Sequence, residues 1–159
     1  MKGVETVTDK VYRLLTAPRT TKNKIKQLEA RANALAYTLL PSGIRYDRAK
    51  VQTSPDDQLL KVTAKLDEIE REIKKLKGQM LRQVEEIREA CNHLEKEEER
   101  TVLVMYYIGG FHMDKIAEAI GYSVQSAYRI RKKAQMHLDE VVKRKIKVEK
   151  NEKNKCDMM

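Results

Sequence analysis

Glycine and proline are scarce, six Gly and three Pro among 159 residues. Too few turn formers are present for a sheet protein with many hairpins, and the 36% of charged residues favours long solvated helices, so an all-α chain is expected. Cysteine is scarcer still. Cys91 and Cys156 are far apart and neither belongs to a Cys-x-x-Cys pair. No disulfide framework or zinc site is signalled, and two reduced thiols are expected. Trp is absent and Phe occurs once. At this length one small domain, or a compact domain plus one extended element, is expected, without a large catalytic core. No apolar run approaches the roughly 20 residues that span a bilayer. The opening "MKGVETVTDK" lacks the hydrophobic core of a signal peptide. No membrane association is expected, and the chain should stay in the cytoplasm where it is made. No Gly-rich phosphate loop occurs, and neither a cofactor nor a metal is expected.

What the chain has in excess is positive charge, 33 Lys and Arg against 24 Asp and Glu, a net +9. Such a balance suits a polyanionic partner. Residues 1 to 50 hold 11 basic and 4 acidic side chains, a balance of +7. Residues 51 to 100 hold 10 and 13, a balance of −3, and residues 121 to 150 hold 9 and 3, a balance of +6. Two basic ends flanking an acidic middle suggest a spacer joining surfaces with different partners.

The acidic middle reads as one long helix. Ser54 can cap it, Pro55 suits the first helical position, and Asp56 and Asp57 sit at the positive end of the helix dipole. Leu59, Val62, Leu66, Ile69, Ile73, Leu76, Met80, Ile87, Ala90 and Leu94 then recur in steps of three and four, interrupted by Gln83, which is a heptad seam. Gly78 is its weak point. A shorter seam runs through Ile25, Leu28, Ala32, Leu35 and Leu39 and stops before Pro41. The two seams are expected to pair as an antiparallel hairpin. Upstream, a short helix from Thr8 to Ala17 is expected to end at Pro18. The second helix would then cover only about half of the longer seam at 1.5 Å rise per residue, leaving apolar residues to meet the C-terminal domain or a second subunit, so self-association as a homodimer through this arm is expected. The expected layout is a helical hairpin or coiled-coil arm over 1–96, with helices at about 9–17, 21–40 and 55–96. A DNA-binding domain over 97–145 and a charged flexible tail over 146–159 complete it. The connection from Pro41 to Ser54 is long for a hairpin loop.

"KIAEAIGYSVQSAYRIRKKAQ", Lys115 to Gln135, breaks one amphipathic helix to begin another. Ile116, Ala117 and Ile120 share a face of the first; Ala127, Ile130, Ala134 and Leu138 share a face of the second. A left-handed Gly121 can end the first helix and Ser123 can cap the next, so that the two faces meet in a helix-turn-helix. Any helical hairpin with a glycine turn would also fit. The spacing favours the helix-turn-helix, with the small Ala117 four residues before the turn glycine and apolar residues at the required offsets. Ala127 is smaller than is usual at its position. With the apolar stripe turned inward, Gln125, Ser126, Arg129, Lys132 and Lys133 face outward. Gln125 and Arg129 are the best readers of base edges, since Gln pairs with adenine and Arg with guanine. Ser126 and Tyr128 can reach bases or sugar-phosphate, and Arg131, Lys132, Lys133 and His137 phosphates.

The wider stretch "EEERTVLVMYYIGGFHMDKIAEAIGYSVQSAYRIRKKAQMHL", Glu97 to Leu138, resembles region four of bacterial sigma factors. An acidic start leads to an apolar helix ending in Tyr-Tyr-Ile, a Gly-containing turn, "KIAEAIGYS" and a basic helix. With the heptad helix before it, the chain resembles the phage-borne sigma-like regulators of the RinA and ArpU kind. About a quarter of the sequence carries the specific resemblance; the remainder agrees in helical layout. The resemblance implies a second helix in the major groove of promoter double-stranded DNA and contact with RNA polymerase. It implies a regulator that activates late phage promoters in the bacterial cytoplasm, with a DNA surface over Ser123, Val124, Gln125, Ser126, Tyr128, Arg129, Arg131, Lys132 and Lys133. Val124 departs from the pattern, standing where sigma factors often place a polar or basic reader, and can instead meet a thymine methyl. No segment resembles the regions that bind the polymerase clamp and melt DNA, so such a chain would recruit polymerase without opening a promoter.

Other candidates carry less. Cys91 and His93 point in different directions on a helix and are a poor ligand pair. The carboxylates from Glu95 to Glu99 have no nucleophile beside them, and no enzymatic activity is expected. Two alternatives to the regulator remain: a small-terminase-like packaging component, and a polymerase-binding inhibitor.

Overall fold

The structure is a computed structural model that describes residues 7–39 and 55–158. These form α1 (Val7–Thr38), α2 (Pro55–Asn92), α3 (Glu97–Leu103), α4 (Met113–Ile120) and α5 (Val124–Cys156). No strand occurs among the described residues, so the chain is all-α as its composition required. No helix among them is long and apolar enough to cross a membrane. Ser54 and the 41–54 connection lie outside the described residues.

Helices α1 and α2 pack against each other as a hairpin, with one correction to the sequence reading. The helices expected at 9–17 and 21–40 are a single helix of 32 residues with Pro18 inside it. Pro18 is itself buried and stands in a continuous stripe with Val11, Leu15, Thr21 and Ile25, all buried. Proline in a helix interior costs about 3 kcal/mol because it withholds an N–H and crowds the preceding turn. Burying one Val, Leu or Ile contributes about 1.5–3 kcal/mol. Three such residues on the flanks outweigh the local penalty, and the seam runs on through the proline.

The chain divides into two compact units, one from Thr20 to Met80, the other formed by the chain up to Arg19 together with that from Leu81 onward. In the first, Ile25 and Ile69 are buried, with Leu28, Ala32, Val62, Leu66, Ile73 and Leu76 half-buried between the helices. Lys77 Nζ lies 3.9 Å from Glu29 Oε1, a solvent-exposed pair that marks the register and adds little stability.

In the second unit, Val11 and Leu15 of α1 meet Ile87, Ala90 and Cys91 of the α2 end and Leu94 just beyond it, together with Leu103, Ala134 and Leu138. Of the two covers expected for the apolar end of α2, the C-terminal domain or a second subunit, the first is present, in Leu103, Ala134 and Leu138. Helix α2 closes at Asn92, four residues before the expected end at 96, and α3 follows from Glu97. The segment 146–159, expected as a flexible tail, is helical as far as Cys156 at the end of the 33-residue α5.

A second core joins Val102, Met113, Ile116, Ala117 and Ala127, with Ile120 and Ile130 packed at its edge. The inward stripe of α5 is thus shared. Ala127 and Ile130 meet α4, whereas Ala134 and Leu138 belong to the first core. Helix α4 has eight residues and reaches only about 12 Å at 1.5 Å per residue, too short to cover the later turns of α5.

Candidate nucleic-acid interface

Helix α3 is acidic in its first turn and ends in a widened turn over Val104–Ile108. There the Gly109 N–H donates to the Val104 carbonyl at 3.0 Å and the Phe111 N–H to the Met105 carbonyl at 3.1 Å. Gly110 follows at φ +69°, and α4 starts at Met113. Tyr106 and Tyr107 project from the widened turn with ring centroids 4.8 Å apart, edge to face.

Between α4 and α5 the chain turns as its residues dictate. Gly121 adopts φ 74°, ψ 29°, a left-handed conformation that costs glycine little. Its N–H donates to the Glu118 carbonyl at 3.3 Å, and the Tyr122 N–H to the Ala117 carbonyl at 3.0 Å. This pair of bonds satisfies carbonyls that the end of α4 would otherwise leave open. Ser123 then caps α5, its Oγ accepting from the Ser126 N–H at 3.2 Å and lying 2.9 Å from the Ser126 Oγ. The Tyr122 hydroxyl donates to Glu98 Oε1 at 3.1 Å, tying the turn to α3. That bond holds the Tyr122 phenol above its ordinary pKa, because it favours the protonated form beside a carboxylate.

Of the nine residues expected at a DNA surface, Ser123, Val124, Gln125, Tyr128, Arg129, Lys132 and Lys133 are exposed. Val124 is 39% and Tyr128 49% exposed, large values for an apolar and an aromatic side chain. Gln125 and Arg129 are four apart and therefore neighbours on one face, opposite the fully buried Ala127. Ser126 is half-buried and engaged in the cap. Lys132 borders a cavity of about 190 Å³ lined also by Val11, Tyr12, Leu15 and Met136, so its stem lies along apolar surface as long cationic side chains often do.

Two residues expected at phosphates have partners within the chain. Arg131 is half-buried, its guanidinium carbon 4.5 Å from the Tyr106 ring centroid and 5.2 Å from that of Tyr128. His137 Nδ1 lies 2.8 Å and 2.9 Å from the two carboxylate oxygens of Glu99. Tyr128 is three residues from Arg131 on α5 itself, whereas Tyr106 and Glu99 come from the widened turn and α3, so nothing near 131 or 137 in sequence announced those two. Gln135 adds a further tie, donating from Nε2 to the Tyr107 hydroxyl. Burial pushes the Tyr107 phenol up, opposed by the nearby Arg131 charge and the Gln135 bond.

No group of three or more His, Cys, Asp or Glu side chains suited to a metal ion occurs among the described residues. What the site offers is a capped helix start carrying amide, guanidinium and ammonium groups beside an aromatic edge.

A family model described as a protein of unknown function (DUF1492) matches residues 43–139. The match spans more than half of the chain, and the chain belongs to that family. No curated protein and no solved structure matches it.

Proposed function

We propose that this chain is a sequence-specific double-stranded DNA-binding regulator of transcription that lays the first turns of α5 in the major groove. The observation that carries this reading is the capped turn at Gly121–Ser123, from which Gln125 and Arg129 stand exposed on the face opposite buried Ala127. Residues four apart are separated by about 6 Å along a helix, close to two base steps of 3.4 Å. Gln125 and Arg129 can therefore address neighbouring base pairs, while Lys132 and Lys133 neutralise phosphates. The resemblance to region four of sigma factors directs the activity to phage promoters, late genes above all, with RNA polymerase of the bacterial host as the protein partner.

Selection of bound sites from random duplex DNA by the full chain tests the reading. An enriched motif whose binding weakens steeply with salt supports it, since each neutralised phosphate adds about −0.9 to the logarithmic salt slope. Recovery of no preferred sequence would make it wrong. Mass in solution separates the regulator from a packaging component: a monomer or dimer fits the first, a ring of many copies the second.

A further inference from the structure

We infer that Arg131 is a positioning residue rather than a phosphate contact: clamped between Tyr106 and Tyr128, it holds Tyr128 beside Val124 as a fixed apolar edge that recognises the 5-methyl group of thymine. This rests on the duplex-binding reading and deepens it. A guanidinium within about 6 Å of an aromatic centroid is attracted to the ring face. Arg131 satisfies this twice, at 4.5 Å to Tyr106 and 5.2 Å to Tyr128. Tyr106 is itself fixed, packed on the core formed by Val102, Ile116 and Ala127 and set edge to face with Tyr107. Tyr107 in turn is bonded by Gln135, one turn beyond Arg131. The arrangement therefore runs from a buried core through Tyr106 and Arg131 to a ring that is 49% exposed.

Val124 and Tyr128 are four apart, neighbours on the helix surface, and both lie in the first turns of α5, where a helix lying in the major groove meets base edges. Neither side chain belongs to either buried cluster. Exposed apolar groups at a helix start have one distinctive complement in the major groove, the methyl that thymine carries and cytosine lacks. A tyrosine free to rotate would contribute this contact only at the cost of its own ordering. The clamp supplies that order before binding.

The test uses the full chain, a duplex recovered by selection, and copies of it in which single thymines are replaced by deoxyuridine, which lacks only the methyl. The wild-type chain is expected to bind at least one substituted duplex about fourfold more weakly, the effect of withdrawing one buried methyl group. Arg131→Met and Tyr106→Leu should both shrink that ratio towards one while leaving the salt slope unchanged. If Arg131→Met instead lowers the slope by about 0.9 and keeps the ratio, Arg131 holds a phosphate and the inference falls. Sequence-preferring binding with no thymine-to-deoxyuridine difference overturns the apolar edge alone. Absence of any duplex binding overturns both the edge and the reading it rests on. A readout without DNA guards against misfolded variants: in the free chain the side-chain protons of Arg131 should be shifted upfield by the two rings and lose part of that shift in Tyr106→Leu. Unshifted protons in the wild type overturn the clamp.

Discussion

His137 on α5 and Glu99 on α3 meet at 2.8 Å, with the Glu99 side chain 4% exposed and that of His137 47% exposed. The carboxylate is held almost wholly out of water and finds its partner on a helix that begins 25 residues later in the chain. Removal of that partner strands a buried acceptor, which costs about 1–3 kcal/mol. His137→Ala should accordingly lower unfolding stability by about 1–2 kcal/mol, the lower part of that range because the imidazole is half in solvent. Glu99→Leu combined with His137→Ala should recover much of the loss, since no polar group is then stranded. Denaturant unfolding of the two singles and the double gives the coupling directly, and additivity within about 0.5 kcal/mol would show that the pair is not a joint.

Two glycines respond to alanine in opposite directions. Gly121 has open space where a Cβ would stand but sits at φ +74°, so alanine there meets no neighbour and still pushes the backbone into a conformation costing about 1–2 kcal/mol. Gly78 lies inside α2, also with nothing near its Cβ position. Alanine there should raise stability by about 0.5–1 kcal/mol through helix propensity. Thermal unfolding of both variants checks the signs. Stabilisation by Gly121→Ala would contradict the left-handed turn on which the helix-turn-helix depends.

Much of this was legible in the sequence. The heptad seam of α2, the glycine turn and the Ser123 cap are local patterns, set by residues within a few positions of one another; the turn and the cap appear where the sequence places them, and the seam holds from Val62 to Ala90, with Leu59 exposed and Leu94 beyond the helix end. Pro18 misled because a local rule was applied where burial on both flanks decides. Arg131 and His137 show a different limit, since the partners they find in Tyr106 and Glu99 come from α3 and its widened turn. A basic run reveals its charge but not which of its members is sequestered. The split of the α5 stripe between two cores follows from the brevity of α4, which the sequence did contain, in the short interval from Met113 to Gly121.

Cys91 is 1% exposed, and burial pushes its thiol from 9.0 up to about 11. The folded state favours the protonated thiol. Its contribution is therefore complete below pH 9, the unfolded value, and is lost as pH rises towards 11, amounting to roughly 2 kcal/mol over that window. Tyrosines titrate in the same range, so the informative quantity is a difference: the fall in stability from pH 8 to 11 should be smaller in Cys91→Ala than in the wild type. Thiol labelling at neutral pH provides a companion measurement. The exposed Cys156 should react at once, and Cys91 only as the chain unfolds. Equal falls in both chains, or two thiols of equal speed, would contradict its burial.

Arg129 and Lys133 are both exposed cations on α5, and charge alone would make them equivalent. Position separates them. Arg129 is one turn beyond Gln125 and near the capped start at Ser123, where a helix in the major groove reaches base edges; Lys133 is a further turn along, where the flanking strand passes. A guanidinium bonded bidentately to guanine contributes about 1–3 kcal/mol of discrimination, whereas a lysine on phosphate adds affinity for every sequence. Arg129→Ala should therefore weaken binding to the selected site by about 5- to 150-fold while weakening binding to unrelated duplex far less. Lys133→Ala should weaken both alike and reduce the salt slope by about 0.9. Gln125→Ala should behave like Arg129→Ala, with relaxation at a different base pair. Titration of each variant against specific and random duplex at two salt concentrations separates the roles. If all three variants lowered specific and non-specific binding in the same proportion, α5 would be attracting the duplex without reading it, and the transcription regulator would need its specificity from elsewhere.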